Sequence, residues 1–120
     1  MSIKTLIIGA SLSPKRVVHT ALHSLVKHGH PVVAIGKKSG TVSGVKIHND
    51  LTHFEDIHTV TLYLNKSNQI DYYDYILSLN PKRVLFNPGT ENVDLAALLT
   101  KAGIEWEHAC TLVLLSTNQY

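Results

Sequence analysis

Apolar residues along the chain fall into short continuous runs separated by amphipathic stretches. Leu6-Ile7-Ile8 is the first run, bounded by Lys4 before it and Gly9-Ala10-Ser11 after it. Such a run fits a strand buried on both faces of a parallel sheet. Ser13-Pro14 reads as a helix start, with Ser13 as N-cap and Pro14 at the first helical position. Val18, Ala21, Leu22 and Leu25 then recur at the spacing of a core-facing stripe, and Gly29 closes the helix. Residues 31–35 form a second strand ended by Gly36, so this part of the chain reads as a βαβ unit with a right-handed crossover.

The remainder alternates in the same way. Gly40 and Gly44 mark a turn-rich loop leading to a weak extended stretch over 45–48. Residues 60–64 predict a third strand. A helix over 67–79 is expected to bury Ile70, Tyr73 and Leu77, and Asn80-Pro81 stops it. Residues 83–86 predict a fourth strand, followed by Asn87-Pro88-Gly89-Thr90. A further helix uses Leu95, Leu98, Leu99 and Ala102, with Gly103 as its cap, and residues 104–109 form a short fifth strand. Residues 111–115 fit either a strand extension or a helical turn. The pattern predicts an α/β protein with one domain over residues 1–120, a doubly wound, parallel, five-stranded Rossmann-like sheet. Ligands of such sheets bind outside the carboxyl ends of the strands, where strand order reverses. The loops at 9–16, 36–40, 65–67 and 87–90 are therefore where chemistry is expected.

With 44% hydrophobic and 17% charged residues, the composition is that of an ordinary globular domain. A net charge of +2, without clustered Lys and Arg, argues against nucleic acid as a partner. The one cysteine, Cys110, permits no intramolecular disulfide and suits a reducing compartment. No stretch approaches the ~20 apolar residues that span a bilayer, and the first run is too short for a signal peptide. A cytoplasmic protein with no membrane partner is expected.

The first loop supplies Gly9, Ala10, Ser11, Ser13, Lys15 and Arg16 as candidate cofactor-binding residues. A glycine after the first strand allows a tight turn and close approach of a phosphate, and the helix N-terminus behind it attracts anions. The further glycines of G-x-G-x-x-G are missing, which weakens a strict NAD reading. Dinucleotide-binding units place Asp or Glu near the end of the second strand to meet the ribose hydroxyls. Here Lys37 and Lys38 occupy that place, and they would attract a ribose phosphate, as in coenzyme A or NADP. Asn87, Pro88 and Gly89 are candidates to contact a pantetheine or nicotinamide arm, although turn chemistry alone also accounts for Pro-Gly.

These residues resemble a known family. Ile7-Ile8-Gly9-Ala10-Ser11, then Ser13-Pro14-Lys15-Arg16, then a helix ending in Gly29-His30 before Val32-Val33, are similar to the small CoA-binding-domain proteins. Those are stand-alone relatives of the CoA-binding domain of succinyl-CoA synthetase. Gly44, Gly89, Gly103 and Cys110 fall at positions that match the family. The chain departs from it at Gly36-Lys37 in place of Asn-Pro, at Asn87-Pro88-Gly89 in place of a Gln and Gly one residue apart, and at Thr111 in place of Pro. The resemblance implies a Rossmann-like sheet with a CoA-type ligand over residues 9–16 and Lys37, and it implies no reaction.

Other constellations do not assemble into a catalytic set. His19 and His23 share metal-ligand spacing on the first helix but have neither an accompanying Glu nor a third ligand, so no metal is expected. His108 and Cys110 would share a strand face, yet inert packing is the simpler role for Cys110. Tyr72 and Tyr75 are expected to be partly exposed and offer a candidate homodimer surface. The reading is thus non-catalytic binding of coenzyme A or an acyl-CoA. The alternatives are a small NADP-dependent oxidoreductase and a ligand-free interaction protein on a Rossmann scaffold.

Overall fold

The computed structural model describes residues 2–120. Seven strands, β1 (Thr5–Ala10), β2 (Val32–Gly36), β3 (Gly40–Val42), β4 (Val45–His48), β5 (Thr59–Leu62), β6 (Arg83–Phe86) and β7 (Glu105–His108), form one sheet in the order β3-β4-β2-β1-β5-β6-β7. Among the described residues five α-helices accompany them: α1 (Val17–Lys27), α2 (Lys66–Gln69), α3 (Tyr73–Leu79), α4 (Val93–Lys101) and α5 (Thr111–Ser116). The fold is an α/β, single-domain Rossmann-like fold. All strand pairs are parallel except β3 with β4.

Alternation along the strands builds a core on each face of the sheet. Leu6 and Ile8 of β1 join Val60, Leu62, Val84 and Phe86 beneath Ile76 and Leu79 of α3 and Leu95 and Leu99 of α4. Ile7, on the opposite side of β1, packs with Ala34 and Ile47 beneath Val18, Leu22 and Leu25 of α1 and Leu115 of α5. Each face is covered, as the uninterrupted apolar runs require. The chain leaves β1 in one direction for β2 and β4, then returns to its other side at β5. The reversal point lies between the carboxyl ends of β1 and β5.

The sheet has seven strands and is mixed, which corrects the expectation of five parallel ones. The two additional strands, β3 and β4, make a hairpin turned by Ser43 (φ 50°) and Gly44 (φ 79°). Positive φ at both central residues suits the right-handed twist of the flanking strands. The ambiguous segment after Cys110 is helical, as α5. The expected helix over 67–79 is interrupted by a 3-10 turn at Ile70–Tyr72. Gln69 causes the change of phase: it is fully buried, donates to the carbonyls of Leu64 and Thr90 (2.8 Å each) and accepts from Asn92 (2.9 Å). Tyr75, Ile76 and Leu79 consequently point inward, whereas Ile70 is 61% exposed.

Two local features position the carboxyl rim. The β1–β2 register shifts between Ile8 and Ala10, so Gly9 is a bulge residue. The bulge brings the Ala10 carbonyl so close to Gly36 that a Cβ there would stand 2.2 Å from the oxygen. Asn87, immediately after β6, is the second. Its Nδ2 donates to Thr61 Oγ1 (2.7 Å) and the Leu62 carbonyl (2.9 Å), while its Oδ1 accepts from the Thr111 amide (2.9 Å). One side chain thus ties β5, β6 and α5 together.

Both features can be tested by urea unfolding. Gly36→Ala is expected to lower stability by about 1–3 kcal/mol, because a backbone oxygen cannot be displaced as a side-chain tip can. Asn87→Ala is expected to lose about 1–3 kcal/mol by leaving the buried Thr111 amide without its acceptor. Unfolding midpoints equal to wild type would contradict these assignments.

Candidate functional site

An open cleft of about 900 Å³ lies over the carboxyl ends of β1, β2 and β5, at the reversal point of the sheet. Its first wall is the β1–α1 loop. Gly9 adopts φ 97°, and a Cβ there would press to 3.0 Å from the Tyr63 carbonyl carbon and 3.1 Å from Leu64 Cδ2. Glycine therefore lets the two strand exits run side by side. Beyond it, Ser11 Oγ accepts from the Ser13 amide (3.1 Å) and Ser13 Oγ from the Lys15 amide (3.4 Å). Leu12 lies against Gly40, where a Cβ would meet Leu12 Cδ2 at 2.5 Å. The β3–β4 hairpin thus braces the loop from outside.

The serines turn the loop locally rather than starting the helix. The first helix begins at Val17, with Arg16 at the N-cap position, which corrects the expected start at Ser13-Pro14. Among the described residues no side chain caps α1, and no carboxylate stands in its first turn. The positive end of an 11-residue helix is therefore left without a side-chain partner at the cleft. Exposed Arg16, Lys37 and Lys38 line the same side.

The opposite wall comes from the segment after β5. Tyr63, Leu64, Asn65, Asn68, Asp71 and Tyr72 line it. Asn65 Oδ1 accepts from the Asn68 amide (3.1 Å) and so caps α2. Burial pushes the Tyr63 phenol up to about 12, outweighing its hydrogen bonds with Thr111 and Thr61. It stays protonated at neutral pH. Pro88, Gly89 and Thr90 close the floor towards β6. The Gly89 amide donates to both carboxylate oxygens of Glu91 (3.1 and 3.3 Å). Glu91's own amide and that of Gly89 hold this carboxyl below the usual range.

Of the residues singled out from sequence, Gly9, Ala10, Ser11, Ser13, Arg16, Lys37, Lys38, Pro88 and Gly89 line this one cleft. Lys15 and Asn87 are not among its lining. Lys15 sits on the turn before α1, and Asn87 is 2% exposed with its side chain engaged beneath the rim. The Tyr63–Tyr72 wall was not identified from sequence. The strand-end rule reached 65–67, but the folding of α2 and the 3-10 turn over the cleft depends on Gln69, whose burial has no local signature. Tyr75 is buried rather than partly exposed, so it offers no outer surface. His23 Nδ1 lies 3.1 Å from Ser43 Oγ. Among the described residues, no group of three or more His, Cys, Asp or Glu could hold a metal ion, and no helix is long and apolar enough to cross a membrane.

Comparison with known proteins agrees with this architecture. A crystal structure of an uncharacterized protein superposes with a TM-score of 0.96 at 47% identity, over 100% of this chain and 99% of that one. A hypothetical protein from Pyrococcus horikoshii OT3 gives 0.87 at 23% identity, over 97% of this chain and 83% of that one. A protein from Thermus thermophilus gives 0.87 at 18%, over 99% and 91% respectively, and these two share the fold. No curated protein matches the chain. The family model described as the CoA binding domain matches residues 4–116, nearly the entire length, and the chain therefore belongs to the CoA-binding-domain family.

Proposed function

We propose that the cleft binds coenzyme A or an acyl-CoA, and that the chain acts as a binding module rather than a catalyst. The observation that carries this reading is the uncapped N-terminus of α1 sharing one rim with Arg16, Lys37 and Lys38. A helix end whose amides lack side-chain acceptors favours a diphosphate, and the adjoining cations neutralise it. Lys37 and Lys38, in place of a ribose-binding acid, suit a nucleotide whose ribose is phosphorylated. The pantetheine arm would pass above the reversal point, over Gly9 and Tyr63, and run towards Pro88-Gly89. When bound, coenzyme A supplies a thiol or thioester at the end of that arm.

The fit is chemical as well as spatial. Gly89 leaves backbone bare where the arm would pass, with nothing within 4 Å of its missing Cβ, and Ser11 and Ser13 supply hydroxyls beside the phosphates. A volume of about 900 Å³ falls within the range of small-molecule pockets. Tyr63, with its phenol pushed up to about 12, can donate a hydrogen bond but is unsuited to act as a base at neutral pH. Belonging to the CoA-binding-domain family favours the same ligand.

A thermal-shift panel of coenzyme A, acetyl-CoA, NADP, NAD and FMN tests the proposal. A ligand at 100 times its Kd stabilises by about 2.7 kcal/mol, which should raise Tm by several degrees. Coenzyme A and acetyl-CoA are expected to give that rise, with most of it lost in the Lys37→Ala/Lys38→Ala double variant. A response to NADP alone would favour an oxidoreductase instead. No response to any compound would favour an interaction protein without a ligand.

A further inference from the structure

The two ends of the cleft are electrically unlike. All its cations, Arg16, Lys37 and Lys38, belong to the β1 and β2 side. The other side presents the carboxamides of Asn65 and Asn68, the ring of Tyr72 and the carboxylate of Asp71, with no Lys or Arg. Lys66, the adjacent cation in sequence, is engaged with Asp94 at 3.4 Å. The amide of Gly89, which could otherwise receive an anion at this end, is held by both oxygens of Glu91. That contact closes a donor and leaves the Glu91 carboxylate beside the cleft, although Glu91 is not among its lining. Asp71 has no ion-pair partner among the described residues.

From this polarity we infer that the site selects CoA thioesters whose acyl group carries no carboxylate, and discriminates against the monothioesters of dicarboxylic acids. The inference rests on the CoA reading above and on the phosphates lying at the cationic end. With the phosphates there, the arm delivers its acyl group towards Asp71 and the Gly89 amide that Glu91 occupies. An uncharged acyl group meets carboxamides and a phenol that can solvate it. A terminal carboxylate meets the like charge of Asp71, with Glu91 beside the rim and no Lys or Arg in this part of the lining, a repulsion that screening by water reduces to a modest factor.

Butyryl-CoA and succinyl-CoA make a matched pair, because both carry four-carbon acyl groups and only one ends in a carboxylate. Calorimetric titration of the full chain at low salt is expected to give succinyl-CoA a Kd about threefold or more above that of butyryl-CoA. The ratio should shrink at high salt and approach one in the Asp71→Asn/Glu91→Gln double variant. Equal affinities in the wild-type protein, or a ratio unchanged in the variant, would overturn the inference while leaving CoA binding intact. Failure of coenzyme A itself to bind would instead remove the reading on which it rests, and the inference with it.

Discussion

The approach of the Ala10 carbonyl to Gly36 is the constraint on which the carboxyl rim depends. Strand β1 bulges at Gly9, and the bulge needs space on the neighbouring strand that no side chain can leave. The β1–α1 loop is thereby raised over the sheet, with Leu12 lodged on Gly40 of the hairpin beyond β2. Two glycines on different strands, each needed for its missing Cβ rather than for flexibility, set the position of the uncapped α1 terminus. A single β carbon at Gly36 would alter all of these together.

Polar side chains buried behind the rim complement that backbone arrangement. Asn87 joins β5 and β6 to the start of α5, while Gln69 joins the β5 exit to the loop before α4. Each makes three hydrogen bonds, so neither is left with the cost of an unsatisfied buried group. Their effect is to tie one wall of the cleft to the strand ends, and Asn65, Asn68 and Asp71 line the cleft from it. The other wall keeps its cations exposed. The resulting separation of charge follows from two loops whose chemistry differs: serines, bare amides and cations on one side, carboxamides and acids on the other.

Much of this was legible in the residues. Leu6-Ile7-Ile8, the stripe of α1 and the position of Gly9 suffice to place the first βαβ unit and the cleft's cationic rim. The weak stretch over 45–48 concealed a hairpin, because Gly40 reads as a loop glycine until Leu12 is seen against it. The phase of α3 is not legible locally, since Ile70 is apolar yet exposed and the buried polar Gln69 decides which side of the segment faces inward. Asn87 looked like a ligand contact for the reason that makes it structural: a polar residue at a strand end has donors and acceptors to offer, and only the fold reveals who accepts them. Ser13 and Pro14 form a good cap by composition, yet α1 starts later because the serines bond within the loop instead.

The central claim is that a polyanionic nucleotide docks on the bare end of α1 beside Lys37 and Lys38. Titration of isotope-labelled protein with coenzyme A, followed by amide chemical shifts, tests it most directly. The account predicts the largest perturbations at residues 10–18 and 37–38, with smaller ones at 63–65 and 88–90. Perturbations confined to the opposite end of the sheet, or a spectrum unchanged at saturating coenzyme A, would contradict it.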